Sequence, residues 1–88
     1  MLSDDKFLAL VNQAWRDSKV IQSDVVDIVD IATVIKDSGM DSLDFIMVAI
    51  IMAETYGVAD ETAKAFTPTT MAEFRALLEQ HKTKDPEA

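Results

Sequence analysis

Cysteine is absent from this 88-residue chain, and histidine, glycine and proline are scarce, with one, two and two residues. Without cysteine, neither a disulfide framework nor a thiolate metal site can supplement the packing of a core. Apolar side chains, which make up 49% of the chain, must therefore supply the stability. The length predicts one domain over residues 1–88, folded from about residue 3 to residue 81, with a frayed tail over residues 82–88.

Positive charge is also scarce, because 8 lysines and arginines face 16 aspartates and glutamates, which gives a formal net charge of −8. A chain of this sign repels the phosphate backbone of nucleic acids, so we expect no nucleic-acid partner. The same charge accelerates encounter with proteins that carry basic patches. The composition therefore favours a basic protein as partner.

Signals for secretion and membrane insertion are missing as well. The start, MLSDDKF, lacks a basic segment followed by an apolar run, so we expect a cytoplasmic protein. The longest apolar run covers residues 45–53, nine residues, less than half of the roughly 20 that a helix needs to cross a bilayer. The sequence thus predicts no membrane insertion.

Two long amphipathic or apolar segments begin at capping residues and predict helices. Ser3 precedes a first helix whose apolar residues recur at helical spacing: Phe7, Leu10, Val11, Ala14 and Trp15. Asp41 or Ser42 can cap a second helix over about residues 42–56, and Gly57 follows as a stop signal.

The rest of the chain predicts a long connection and two further helices. Residues 18–40 contain a β-branched run without strict alternation, so we expect a loop, with a short edge strand as the alternative. Residues 60–66 predict a short third helix, and Thr70 with Glu73 matches a capping box for a final helix that ends near His81. The predicted fold is all-α: a monomeric small four-helix bundle with three main helices, a short third helix and a long loop between helices 1 and 2.

The stretch GMDSLDFIMVAIIMAE places a serine, Ser42, directly before the apolar run. A nucleophilic serine needs a nearby base, but His81 is the only histidine and the stretch lacks the second glycine of a nucleophile elbow. A calcium loop fails too, since Ser42 and Val48 stand where glycine and glutamate are required. We therefore assign no catalytic residue and no metal ligand.

A helix N-terminus gives Ser42 another use. Free backbone N–H groups and the helix dipole favour an anion there, so a phosphate joined to the serine oxygen would be stabilised. On physical grounds alone, Ser42 can equally be a simple N-cap. The residues leave both alternatives open.

GMDSLDF resembles the Asp-Ser-Leu attachment motif of acyl carrier proteins and of the related peptidyl and aryl carrier domains, and the resemblance extends across nearly the whole chain. It implies that Ser42 accepts 4′-phosphopantetheine from coenzyme A, transferred by a separate phosphopantetheinyl transferase. The distal thiol of that arm would carry acyl intermediates as thioesters. By the same match, Asp41 and Leu43 flank the site for transferase recognition, Gly39 lets the loop close onto the helix, and Asp44 adds charge at the helix start.

The resemblance implies a carrier rather than an enzyme. Its partners would be acyl-loading, condensing and acyl-transfer enzymes of fatty-acid-like, polyketide or other secondary-metabolite biosynthesis. Two alternatives stay open: a peptidyl or aminoacyl carrier protein of a nonribosomal-peptide-type pathway, and a helical adaptor that lacks the arm and binds through its second helix.

The second helix departs from the family pattern. Many fatty-acid carrier proteins bear several glutamates on its exposed face, whereas this chain has Met47 and Ala53 at two such positions and keeps Glu54. We predict a docking surface that includes Met47, Ile51 and Glu54, with burial of these apolar residues under the loop as the alternative. Four residues of this helix are predicted to lie mainly in the core: Leu43, Ile46, Ile50 and Tyr56.

Overall fold

The computed structural model describes residues 1–19 and 25–86, and within these ranges every regular element is helical. Its α-helices are α1 (Asp4–Ser18), α2 (Ser42–Tyr56), α3 (Asp60–Lys64) and α4 (Met71–His81). The predicted all-α class, with three longer helices and one short helix, is confirmed. The Cα radius of gyration is 11.8 Å, close to the roughly 12 Å expected for a folded chain of this length.

The ends of the helices follow the local signals that the sequence contains. The Ser3 hydroxyl accepts a hydrogen bond from Lys6 N–H at 3.3 Å and caps α1. Gly57 ends α2 with a φ of 68°, a left-handed conformation that glycine adopts without steric cost. The Thr70 hydroxyl accepts from Glu73 N–H at 3.2 Å and caps α4. Capping residues therefore define where these three helices begin or end.

The third helix is shorter than predicted. It ends at Lys64, and Phe66 follows it as a buried side chain whose N–H donates to Ala63 O at 3.1 Å. The tighter i to i+3 bond marks the end of the helix. The prediction of a helix to residue 66 is therefore wrong by about half a turn.

The core joins three helices through an aromatic cluster. The fully buried Phe74 ring of α4 meets Phe7 of α1 edge-on, with ring centroids 5.9 Å apart, and Phe45 of α2 with centroids 5.0 Å apart. Edge-to-face contacts of this kind add to the stabilisation from burial. The other large side chains with almost no exposure are Trp15, Tyr56, Met52, Met71, Leu78, Val11 and Val48.

The orientation of α2 corrects part of the predicted core. Tyr56 is buried as predicted, but Leu43 is 68% exposed and Ile46 is 38% exposed, so their assignment to the core is wrong. Ile50 is half-buried. The inward face instead consists of Val48, Ala49, Met52, Ala53 and Tyr56, together with Asp44.

This orientation also revises the comparison with the family's acidic face. Ala53 is fully buried, so that position does not belong to an exposed face in this chain.

Although α2 is strongly apolar, none of the described helices has the length and apolar character required to cross a membrane.

Side-chain and backbone hydrogen bonds attach the connection between α1 and α2 to the bundle. The buried Asn12 amide donates to Ile28 O at 3.0 Å and accepts from Ile28 N–H at 2.9 Å. A short 3₁₀-helix covers Ile35–Asp37. In place of the alternative edge strand, the described part of this connection forms one isolated antiparallel bridge, between Val34 and Thr70. Residues 20–24 of the predicted loop lie outside the described residues.

The C-terminal tail is attached where the sequence predicts fraying. The backbone N–H groups of Thr83 and Lys84 donate to Tyr56 O at 3.0 and 3.2 Å, and the Thr83 hydroxyl donates to Gly57 O. These bonds satisfy carbonyl groups at the end of α2 that have no partner within the helix. The last two residues of the predicted tail, 87 and 88, lie outside the described residues.

Candidate functional site

Asp41, rather than Ser42, caps helix α2. Asp44 N–H donates to Asp41 Oδ1 at 2.7 Å, and Asp41 N–H donates to Asp44 Oδ2 at 3.5 Å, which forms a reciprocal capping box. Phe45 N–H donates to Asp41 O at 2.9 Å, the first backbone bond of the helix. Of the two alternatives that the sequence leaves open, the simple N-cap role for Ser42 is therefore wrong.

Ser42 is the first residue of α2 and is exposed to solvent. Because Asp41 supplies the cap, the Ser42 hydroxyl makes no hydrogen bond to the part of the chain that the structure describes. The first N–H groups of a helix, here those of Ser42 and Leu43, have no acceptor within it and favour an anion. An exposed, unbonded hydroxyl beside such donors fits a phosphodiester formed through the serine oxygen.

Gly39 shapes the approach of the loop to this site. Its φ is 92°, a backbone conformation that L-residues with a side chain adopt only under strain. A Cβ atom at this position would lie 3.8 Å from Trp15 Cη2, an ordinary contact, so the backbone conformation rather than lack of space requires glycine. The next residue, Met40, is buried. The glycine thus allows the chain to turn from the core to the exposed serine.

Lys19 lies beside the capping box, a neighbour that sequence reasoning missed. Its Nζ is 3.1 Å from Asp44 Oδ1, and the two side chains are 26% and 12% exposed. Lys19 thus provides a positively charged partner for the Asp44 carboxylate, which lies on the inward face of α2. It also joins the residue that follows α1 to the start of α2. No local pattern marks this contact, because the two residues are distant in the sequence.

A groove of about 480 Å³ opens beside Ser42, between α2, α3 and the connection that precedes α2. Its walls are mostly apolar and include Met40, Phe45, Ile46, Phe66 and Pro68. Lys36 and Lys64 also line the groove, one from the 3₁₀-helix and one from α3. The site therefore combines an exposed hydroxyl, a partly apolar surface and two cationic side chains.

A larger cavity, of about 730 Å³, lies between α3 and α4 and does not include Ser42. The cavity and the groove beside Ser42 are adjacent, because Phe66, Thr67 and Pro68 line both. His81 lines the larger one, exposed at the end of α4, with its ring centroid 5.6 Å from that of Phe66. Across residues 1–19 and 25–86, no cluster of three His, Cys, Asp or Glu side chains is arranged to hold a metal ion.

The predicted docking residues differ in exposure. Met47 is 41% exposed and Glu54 is exposed, whereas Ile51 is half-buried and packs against the core. Leu43 and Ile46, predicted to be core, are instead exposed beside Met47. We call the exposed side chains of Leu43, Ile46 and Met47 the apolar ridge of α2.

Comparison with known proteins adds no relative. No protein-family model matches the chain, no curated protein matches it, and no solved structure matches it. A functional assignment therefore depends on the residues of this site.

The capping role of Asp41 leads to a stability prediction. Asp41→Ala removes the acceptor for Asp44 N–H and should cost about 1 kcal/mol of unfolding free energy, which lowers Tm by roughly 4 to 8 °C. Asp41→Asn keeps an acceptor at the same place and should melt close to the wild type. Thermal denaturation measures both. An unchanged Tm for Asp41→Ala would show that another group, such as the Ser42 hydroxyl, caps the helix.

Proposed function

We propose that this chain is a discrete, monomeric acyl carrier protein of the cytoplasm, with 4′-phosphopantetheine attached to Ser42. One observation carries the proposal: the Ser42 hydroxyl is exposed and unbonded at the start of α2, while Asp41 performs the capping that would otherwise occupy it. A serine needed only for helix structure would take part in the cap. The arrangement leaves this hydroxyl accessible to a modifying enzyme.

The arm, when attached, supplies a thiol that carries an acyl group as a thioester. The chain's own residues present and orient the attachment point. Asp41 and Asp44 hold the first turn of α2, Lys19 supports Asp44, and Gly39 brings the loop to the serine. Leu43 is 68% exposed next to Ser42, a placement that suits contact with the transferase. No side chain of this protein is assigned a step in the chemistry.

The test is incubation of the unmodified protein with coenzyme A and a broad-specificity phosphopantetheinyl transferase. We expect intact-mass measurement to show the addition of one phosphopantetheine. A protein that stays unmodified with several transferases would contradict the proposal.

The apolar ridge of α2 is proposed as part of the surface that meets partner enzymes. Exposed apolar side chains that stand together on one helix face are typical of interaction sites. Glu54 adds an exposed acid farther along the same helix. This combination favours a dedicated partner enzyme, with an apolar patch and basic residues around it, over the general fatty-acid synthase.

Met47→Glu should weaken acyl transfer by the cognate partner by about tenfold or more in kcat/KM, because it places a charge in the apolar contact. Its Tm should change little, since Met47 is 41% exposed. Met47→Leu keeps the apolar contact, and Gln80→Glu adds the same charge on α4, so both should transfer like the wild type. A large fall in the Tm of Met47→Glu would assign Met47 to the core instead.

The same ridge supports a second candidate, a helical adaptor that binds a partner protein through α2 without an arm. Leu43, Ile46 and Met47 are all exposed before any modification. The two functions differ in their dependence on Ser42: an adaptor binds its partner equally well with Ser42→Ala, whereas a carrier loses all transfer. Transfer and binding assays with this variant distinguish them.

A further inference from the structure

Some basic residues of this acidic chain form ion pairs with carboxylates, and others do not. Four of its 8 basic residues form ion pairs with carboxylates in the part of the chain that the structure describes: Arg16 with Asp27, Lys19 with Asp44, Arg75 with Asp4, and Lys82 with Glu79. The other four, Lys6, Lys36, Lys64 and Lys84, pair with none of the carboxylates that the structure describes. Of these four lysines, Lys36 and Lys64 lie at one place in the fold.

Both lysines line the groove that contains Ser42. They come from different elements, the 3₁₀-helix Ile35–Asp37 and α3, so the fold rather than the local sequence places both at this groove. The acidic residue that lines the same groove, Asp41, has its Oδ1 engaged by Asp44 N–H at 2.7 Å. The groove therefore offers cationic side chains for an anion that the net charge of the chain would otherwise repel.

We propose that Lys36 and Lys64 bind the phosphodiester attached to Ser42 and direct the arm into the groove toward α3, rather than into solvent. The inference rests on the carrier function proposed above. An ammonium group pairs with a phosphate oxygen as a point charge, and a tethered anion is held near its partners at high effective concentration. The apolar walls, including Met40 and Phe66, contact the uncharged part of the arm.

The experiment compares the unmodified protein with the form that carries the free-thiol arm, prepared enzymatically and checked by intact mass. The first readout is Tm, for which modification should give a rise of about 1 to 8 °C, the range for exposed ion pairs in a domain of this size. The second is nuclear magnetic resonance: on modification, backbone amide signals of Lys64 and Phe66 should shift along with those of residues 41–44.

Variants isolate the part played by the lysines. In Lys36→Gln/Lys64→Gln the amide shifts in α3 should be lost, the phosphorus signal of the arm should move and sharpen, and most of the gain in Tm should disappear. Lys6→Gln, an exposed lysine of α1 that does not line the groove, should keep all three effects. High salt should weaken them in the wild type, because exposed charges are screened.

Two results would overturn the inference. Amide shifts confined to residues 41–44, with a phosphorus signal that the lysine variants leave unchanged, would place the arm in solvent. A further comparison loads the thiol of the arm with succinate, which has a free carboxylate, or with butyrate, which has none. Effects of the lysine variants that appear only with succinate, and not with butyrate or the free thiol, would show that the lysines bind a carboxylate on the cargo. Failure of the carrier function itself is a separate observation, since no phosphopantetheine would then be added.

Discussion

The Ser42→Ala variant should gain no mass on incubation with coenzyme A and transferase, under conditions in which the wild type gains one phosphopantetheine. The expected loss is complete, because the serine oxygen forms the bond to phosphorus and alanine has no atom to replace it. The variant should fold normally, since Asp41 caps α2 and alanine is a favourable helix residue. Its unfolding free energy should stay within about 0.5 kcal/mol of the wild type.

Ser38→Ala is the matched control, because this serine lies in the loop four residues before Ser42. Its hydroxyl donates to Ile35 O at 2.5 Å and accepts from Met40 N–H at 3.3 Å, so it has a structural role. This variant should lose some stability and keep full modification. A mass gain in Ser42→Ala, or complete loss of modification in Ser38→Ala, would move the attachment site away from Ser42.

Phe74→Ala should be the most destabilising substitution considered, at about 3 to 5 kcal/mol. The ring is fully buried and joins α1, α2 and α4 through its contacts with Phe7 and Phe45. For a domain of this size the loss corresponds to a fall in Tm of about 12 to 40 °C. Because small domains are stable by only about 5 to 15 kcal/mol, the variant should lose a large part of its stability. Urea denaturation measures the change.

Leu43→Ala provides the comparison for this truncation. Leu43 is 68% exposed, so its removal should change the unfolding free energy by less than about 0.5 kcal/mol. A core position for Leu43, which the sequence predicts, would instead require a loss of about 2 to 5 kcal/mol. The pair of variants therefore tests the orientation of α2 as well as the aromatic cluster.

Helix ends were the most predictable part of the fold, because single residues define them. The predicted second helix over residues 42–56 agrees with the observed α2, which Asp41 begins and Gly57 ends. The capping hydrogen bond between Thr70 and Glu73 is also present. In a capping box the Glu73 side chain would accept from the N–H of Thr70, the N-cap residue. It accepts instead from Thr69 N–H, at 2.6 Å.

The orientation of α2 could not be predicted because nine consecutive apolar residues have no periodicity to distinguish one face from another. The face was determined by contacts far apart in the sequence, such as Phe45 with Phe74 and Asp44 with Lys19. Local patterns contain no information on such contacts. The sequence consequently predicts the wrong face for Leu43 and Ile46.

The candidate site was predictable to a similar degree. A local motif identifies Ser42 with its neighbours Gly39, Asp41 and Asp44, all of which the structure places together at the start of α2. Lys64 comes from another helix and lines the groove only through the fold. The sequence therefore predicts the proposed attachment point but not all of the surface around it.

The central claim, that Ser42 carries the arm, is tested most directly on the protein isolated from its native host. Intact-mass measurement followed by fragmentation of the peptide that contains Ser42 would identify any modification and its position. The account predicts one phosphopantetheine on Ser42, with or without an acyl group on its thiol. Protein that is entirely unmodified at Ser42, under conditions in which other carrier proteins of the same cells are modified, would contradict it.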